Sequence, residues 1–265
     1  RDTGKPLWES LAEADAMAAK VSLSLEAYEE RCSGQRLELP GGVGEVRCRP
    51  LGVVVVLGPF NLPGHLPNGH LVPALLAGNA VILKPSELAP AVAQRTVELW
   101  AASGLPAGVL NLVQGGAAVG RLLAEHPGID GLFFTGSYAT GRALHRALAG
   151  RLEVLQALEM GGNNPLVVWD VSDPDAAALQ TVQSAYITAG QRCTCARRLI
   201  VSAGPDGDTF LRRLVTWIAR LRVGGYTERP EPFLGPVITP RAAEQLLSAQ
   251  ADLAARGAKA LVEMG

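Results

Sequence analysis

Charge is scarce in this chain. Of its 265 residues, 24 are lysine or arginine and 25 aspartate or glutamate, together 18% and a formal net charge of -1. That balance leaves no electrostatic footprint for nucleic acid or for an anionic membrane surface. Long apolar runs are missing as well. None reaches the roughly 18 residues of a membrane-spanning helix, and the longest candidate, residues 51–57, is bounded by proline and glycine. Cysteine is limited to Cys32, Cys48, Cys193 and Cys195. Four thiols in a chain this long make no disulfide framework, and a reducing cytoplasm is the expected setting. Cys193 and Cys195 make a poor bridge, and no second ligand pair stands at suitable spacing, so no metal is expected. The opening Arg1-Asp2-Thr3-Gly4-Lys5-Pro6 does not read as a secretory signal. No segment repeats, and nothing is of low complexity beyond alanine-rich helix.

What is present is apolar pattern. Hydrophobic residues make up 48%, enough for a sizeable core and against wholesale disorder. Residues 7–31 predict one long scaffold helix, with Glu9, Glu13, Asp15, Lys20 and Glu26 interleaved among its apolar positions. Leu37, Leu39, Val43 and Val46 around Pro40-Gly41-Gly42 predict a hairpin. From Pro50 onward strand and helix alternate. The run Val53-Val54-Val55-Val56 reads as a buried parallel strand. Helix is expected at 71–76, 90–102, 117–125 and 138–148, and strand at 81–83, 110–113 and 132–134. The alternation resumes with strand at 165–169, helix at 175–189, strand at 199–201, helices at 208–222 and 241–256, and a strand beginning at 260–262. Short loops between alternating strands and helices predict an α/β fold, a parallel Rossmann-like sheet covered on both faces. A first domain is expected over residues 1–161, with the hairpin at 36–49, and part of a second α/β domain over 162–265.

Two segments carry candidate chemistry. Gly190-Gln191-Arg192-Cys193-Thr194-Cys195 lies between an apolar helix and a strand. A cysteine at such a junction beside an arginine is a candidate nucleophile, because nearby positive charge favours the thiolate. The alternative is a small buried cysteine next to a turn. Upstream, Leu158-Glu159-Met160-Gly161-Gly162 sets one carboxylate between an apolar run and a glycine turn. Such a group is costly to bury unless it is paired or has a task.

These segments, with Gly58-Pro59-Phe60-Asn61-Leu62-Pro63, Lys84-Pro85-Ser86-Glu87 and Phe134-Thr135-Gly136-Ser137, resemble the aldehyde dehydrogenase superfamily in order and approximate spacing. The resemblance covers essentially the whole chain. It implies Cys193, rather than Cys195, as the nucleophile that forms a thioester, with Asn61 donating to the oxyanion and Glu159 as general base. It also implies NAD. Lys84 and Glu87 would meet the adenosine ribose, and the turn Gly136-Ser137-Tyr138-Ala139-Thr140-Gly141 the pyrophosphate. A glycine turn at a helix N-terminus suits that group, although this is not the G-x-G-x-x-G fingerprint. A carboxylate at 87 would repel a 2′-phosphate, which favours NAD over NADP.

Within the superfamily, Gly64-His65-Leu66-Pro67-Asn68-Gly69-His70 and Arg192-Cys193-Thr194-Cys195-Ala196-Arg197-Arg198 are similar to the members that oxidise N-succinyl-L-glutamate 5-semialdehyde in arginine degradation. The expected partner is thus a small semialdehyde carrying two carboxylates, with Arg192 its candidate anchor. The presence of Glu159 favours hydrolysis over transfer to coenzyme A, since water needs a base. Two other readings stay open: a different semialdehyde, and a non-catalytic nucleotide-binding or structural segment. The family's length implies a chain that starts within the first domain and stops within the second. The resemblance also implies that the hairpin is part of an arm that builds a homodimer or larger oligomer, where the residues alone read equally as an ordinary surface hairpin.

Overall fold

The computed structural model describes residues 1–264. The contacts divide it into two compact units, one of Leu11–Met160 with Asp2, the other of Gly161–Gly265 with Arg1 and Thr3–Ser10. The long helix α1 (Leu7–Cys32) opens the described architecture.

In the unit of Leu11–Met160, β1 (Gln35–Leu39) and β2 (Gly42–Val46) form an antiparallel hairpin. Its four large apolar side chains, Leu37, Leu39, Val43 and Val46, are all exposed. Five parallel strands follow: β3 (Val53–Leu57), β4 (Ala80–Lys84), β5 (Leu110–Leu112), β6 (Gly131–Gly136) and β7 (Leu155–Met160), in the spatial order β5-β4-β3-β6-β7. The central strand explains the sheet. Val54, Val55 and Val56 are fully buried, each contributing about 2 kcal/mol by burial, and alternate sides. Val54 and Val56 pack with Leu71, Ala74, Val81, Leu83 and Ala93; Val55 and Leu57 pack with Leu132, Phe134, Leu144 and Leu148. The first group brings in α2 (His65–Leu76) and α3 (Pro90–Ala102), the second α4 (Ala117–Glu125) and α5 (Tyr138–Leu148). The sheet is therefore wound on both faces, as the alternation predicts.

Buried polar side chains fix the loops of this unit. Asn79 accepts at Oδ1 from the N–H groups of Leu51 (2.7 Å) and Gly52 (3.0 Å) and donates from Nδ2 to the Ala74 carbonyl (2.9 Å). Glu13 is buried too, and its Oε1 accepts from the Gly64 (2.8 Å) and His65 (3.1 Å) N–H groups at the start of α2. That contact lets α2 start at His65, ahead of the helix expected at 71–76. Pro67 in its first turn costs little, because those N–H groups have no intrahelical acceptor.

The other unit holds β8 (Asn164–Val168) parallel to β9 (Ala196–Val201), with α6 (Pro174–Tyr186), α7 (Pro205–Ile218) and α8 (Pro240–Ala255). Its core gathers Val168, Ala178, Val182, Phe210 and Leu214. The first residues of the chain pack here rather than with the domain expected over 1–161. Trp8 donates from Nε1 to the Pro232 carbonyl (3.2 Å), accepts nothing from Glu231 but gives its backbone N–H to Glu231 Oε1 (2.9 Å), and sets its ring 6.1 Å from Phe233. Two expectations fail. Residues 260–262 form no strand, because a strand needs a hydrogen-bonded neighbour and none pairs with them among the described residues. The helix expected to reach 189 stops at Tyr186.

Replacing Asn79 by alanine leaves the part-buried Leu51 and Gly52 N–H groups without their side-chain acceptor and takes one of two donors from the Ala74 carbonyl, which keeps the Asn79 backbone N–H. We expect a loss of about 2–4 kcal/mol in unfolding free energy, read from the shift in urea midpoint. An unchanged midpoint would show that water replaces the amide.

Candidate active site

The carboxyl ends of the parallel strands collect most of the candidate residues. Leu57 pairs with Lys84 on one side and Phe134 on the other, and Thr135 pairs with Glu159. The loops leaving β3, β4 and β6 and the end of β7 therefore share one edge of the sheet. Asn61 lies in the loop after β3, where its Oδ1 accepts from the Leu62 N–H (2.9 Å). From β3 the chain goes on to β4 and β5 on one side and then returns to place β6 on the other, a reversal in strand order of the kind at which open α/β sheets hold their ligands.

Lys84 ends β4 almost buried. Its ammonium donates to the carbonyls of Pro85 and Gly115 (2.7 Å to the latter) and lies 3.9 Å from the exposed Glu87 carboxylate. Burial lowers its pKa, and Glu87 partly opposes that shift. After β6, Ser137 caps α5, its Oγ accepting from the Thr140 N–H (3.2 Å) and donating to Thr140 Oγ1 (2.9 Å). Ser137, Tyr138, Ala139 and Thr140 are exposed. Two close approaches require glycine here. A Cβ on Gly136 would come 2.5 Å from the Phe134 ring, and one on Gly141 2.4 Å from Met160 Sδ. An exposed helix N-terminus pressed against the sheet by small residues fits a pyrophosphate. Glu159 stands near the end of the sheet-edge strand β7 and is exposed, because an edge strand is covered on fewer sides.

Near the same edge, His70 on α2 lies with Nε2 3.4 Å from Thr135 Oγ1 and its ring 5.5 Å from that of Phe133. Burial lowers its pKa, Glu159 acts to raise it, and Lys20 lowers it further.

Cys193 and Arg192 belong to the other unit. After α6 the chain makes a short 3-10 turn, Ile187–Gly190, in which Thr188 (φ 56°, ψ 34°) and Ala189 (φ 52°, ψ 37°) are left-handed, followed by Gly190 (φ 71°). Glycine takes this conformation freely; L-residues resist it by roughly 1–2 kcal/mol each, and a β-branched threonine is a genuine outlier. The Thr188 carbonyl accepts from the Gln191 backbone N–H and from Gln191 Nε2, both at 3.0 Å. The Thr188 hydroxyl donates to Glu9 and accepts from Arg192 Nε (2.6 Å), and Arg192 Nη2 lies 3.0 Å from Glu9 Oε1. Downstream, Asn164 Nδ2 donates to the carbonyls of Cys193 (2.7 Å) and Cys195 (3.0 Å). Cys193 is exposed, while Cys195 is buried with its thiol toward the Ile187 carbonyl at 3.6 Å.

Sequence reading did not single out Glu9, Glu13 or Asn164. A signal for the first two existed: they are four residues apart, on the helical face that also carries Met17, and an acidic pair on one face of a long helix invites a search for buried donors. For Asn164, whose bonds cross from β8 to residues 29 and 31 positions later, no local signal existed.

The family model described as the aldehyde dehydrogenase family matches residues 1–265. The chain is 58% identical over 264 residues to the N-succinylglutamate 5-semialdehyde dehydrogenase of Paraburkholderia xenovorans, covering 100% of this chain and 54% of that one. The chain thus spans about half the length of the curated relatives it matches. Among solved structures, an aldehyde dehydrogenase of Brucella melitensis biovar abortus 2308 superposes with a TM-score of 0.91 at 34% identity, over 100% of this chain and 55% of that one. The betaine aldehyde dehydrogenase of Staphylococcus aureus in complex with NAD+ gives a TM-score of 0.91 at 30% identity, over 98% and 52%.

Two outcomes follow from this geometry. Thiol alkylation is expected to modify Cys193 rapidly and Cys195 slowly. Cys193→Ala should remove the fast phase and Cys195→Ala should retain it, as read by mass spectrometry of labelled peptides. His70 ties stability to acid. Its folded pKa lies below the ordinary 6.5, so the unfolded chain binds a proton first as pH falls. The stabilisation is complete above that ordinary value and is lost as pH drops from it through the depressed folded value. Urea midpoints should therefore fall more steeply below neutrality in the wild type than in His70→Gln; equal slopes would remove His70 as the cause.

Proposed function

Because the chain belongs to the aldehyde dehydrogenase family, we propose that it oxidises N-succinyl-L-glutamate 5-semialdehyde to N-succinylglutamate, with NAD, through a thioester on Cys193. The observation that carries this reading is 58% identity, across the full length of this chain, to a relative named for that substrate. The roles are those the chemistry asks for. The Cys193 thiolate adds to the aldehyde carbon, converting a carbonyl to an alkoxide. The Asn61 amide, whose Oδ1 is held by the Leu62 N–H, offers its Nδ2 hydrogens to that oxygen, with the Cys193 N–H as second donor. One such donor lowers the barrier by about 3 kcal/mol. When bound, NAD supplies the acceptor for the hydride that leaves the same carbon. Glu159 takes the proton from the water that cleaves the thioester; its exposed position at the end of β7 leaves it open to that water.

The unit of Leu11–Met160 is the proposed cofactor unit, with Gly136, Ser137, Tyr138, Ala139, Thr140 and Gly141 at the pyrophosphate and Lys84 and Glu87 at the ribose. Relatives solved with NAD+ support the cofactor class, and the carboxylate at 87 favours NAD over its 2′-phosphorylated form. Gly161–Gly265 supplies the nucleophile. The exposed apolar side chains of the β1–β2 hairpin support its reading as an arm for a second copy of the protein. No described helix is long and apolar enough to cross a membrane. The sparse cysteines support a reducing, cytoplasmic setting as part of this proposal.

The test is steady-state turnover of the polypeptide as its organism makes it. N-succinylglutamate semialdehyde with NAD should give the highest kcat/KM, with NADP and uncharged aldehydes at least tenfold lower, and Cys193→Ala should abolish turnover. A preference for uncharged aldehydes would remove the substrate assignment; turnover by Cys193→Ala would remove the nucleophile.

A further inference from the structure

We propose that Glu9 and Arg192 are positioning residues for Cys193. Together they clamp the left-handed turn through the Thr188 hydroxyl, and Arg192 thereby serves the loop of the nucleophile rather than a carboxylate of the substrate. The inference rests on the reading of Cys193 as nucleophile.

The turn itself is the first argument. Two consecutive non-glycine residues hold left-handed backbone immediately before Gly190, three positions ahead of the cysteine. Such a conformation persists only where surrounding structure over-determines it. The candidates for that work are few. Thr188 is buried at 3% exposure, and its hydroxyl has one hydrogen and two lone pairs. The hydrogen goes to Glu9 and a lone pair accepts from Arg192 Nε. Arg192 Nη2 closes the triangle on the same Glu9 oxygen at 3.0 Å. The hydroxyl hydrogen and one lone pair of the turn side chain are thereby committed to groups separated from it by four residues in one direction and 179 in the other.

The second argument is burial. The Glu9 side chain is 0% exposed, whereas that of Arg192 is 25% exposed. A carboxylate taken fully out of water must be compensated by its partners, and Glu9 Oε2 has none among the described residues. The compensation therefore falls on Oε1, that is, on Thr188 and Arg192. Arg192 has two guanidinium nitrogens committed to this corner, which takes its Nε/Nη2 edge out of bidentate capture of a substrate carboxylate. A further main-chain anchor is Asn164, holding the carbonyls of Cys193 and Cys195 from the far side. The nucleophile's backbone is thus fixed before it by the Glu9 corner and after it by Asn164, while its side chain stays exposed.

The experiment compares Glu9→Gln, Arg192→Gln and the double variant with wild type, in the polypeptide as its organism makes it. Two readouts are taken: the rate of Cys193 alkylation as a function of pH, and kcat against KM for the semialdehyde. Protection of Cys195 in the same digests reports folding. Glu9→Gln is isosteric but neutral. It should slow Cys193 alkylation, shift its pH profile and lower kcat by about ten- to a hundredfold, the penalty for a small misplacement of a reacting group, with KM changed less than about threefold. The double variant should be no worse than either single one, because the two residues act as a unit. The proposal is overturned if Arg192→Gln raises KM for the dicarboxylate while leaving kcat and KM for an uncharged aldehyde unchanged, which is the behaviour of an anchor. It is also overturned if Glu9→Gln merely lowers thermal stability and leaves the alkylation profile of the folded protein as in wild type. Retained turnover in Cys193→Ala would instead sink the underlying assignment, and the alkylation arm would still report on the clamp.

Discussion

Parallel pairing of β3 with β4 on one side and β6 on the other is the constraint from which the larger unit follows. A strand whose central valines have no exposed surface must be covered on both faces, and short connections then force helices to alternate between those faces. Parallel strands also deliver all of their carboxyl ends to one edge. Asn61, Lys84, Glu87, the turn at Gly136 and Glu159 share that end of the sheet because of the hydrogen-bond ladder. The grouping of these candidate residues is a consequence of register: Leu57 opposite Lys84 and Phe134, and Thr135 opposite Glu159.

The other unit depends on a different device. Its two strands, β8 and β9, are short, and the loop that enters β9 contains the candidate nucleophile. Here precision comes from side chains holding backbone: Asn164 on two carbonyls, Gln191 on a third, and the Glu9 corner on the turn. Gln191 also accepts, at Oε1, the Ile238 N–H at 2.9 Å, so that one side chain links the turn to the segment before α8. Such bonds are modest one by one. Their value lies in committing groups that would otherwise let the loop choose among several conformations.

Acids bonded to backbone recur as a theme. Glu13 accepts two N–H groups at the start of α2, Asp130 takes the Val53 N–H at 2.8 Å as β3 begins, and Asp2 accepts from Ala91 and Val92 at the start of α3. Carboxylates facing helix starts are favoured by the dipole and by the unsatisfied donors there. In a chain with little charge to spare, several acids are thus spent on backbone rather than on ion pairs at the surface.

The sequence alone determined the α/β alternation, the family, and the positions of β3, α3 and the hairpin, because those follow from periodicity, β-branched runs and glycine or proline punctuation, all of which act between near neighbours. It also offered Cys193 over Cys195 as candidate nucleophile, through a motif. Tertiary structure alone decided that the helix after β8 stops at Tyr186 and not at 189: nothing in Thr188-Ala189 announces a left-handed turn, and local propensity argues against one. The same holds for Glu9 and Glu13, which look like solvent-facing charges on a long helix until their partners, many residues away, are brought to them. Residues 260–262 show the converse. Their composition favours a strand, yet a strand exists only by pairing, and the hydrogen bonds that would make one lie outside what any short stretch of sequence contains.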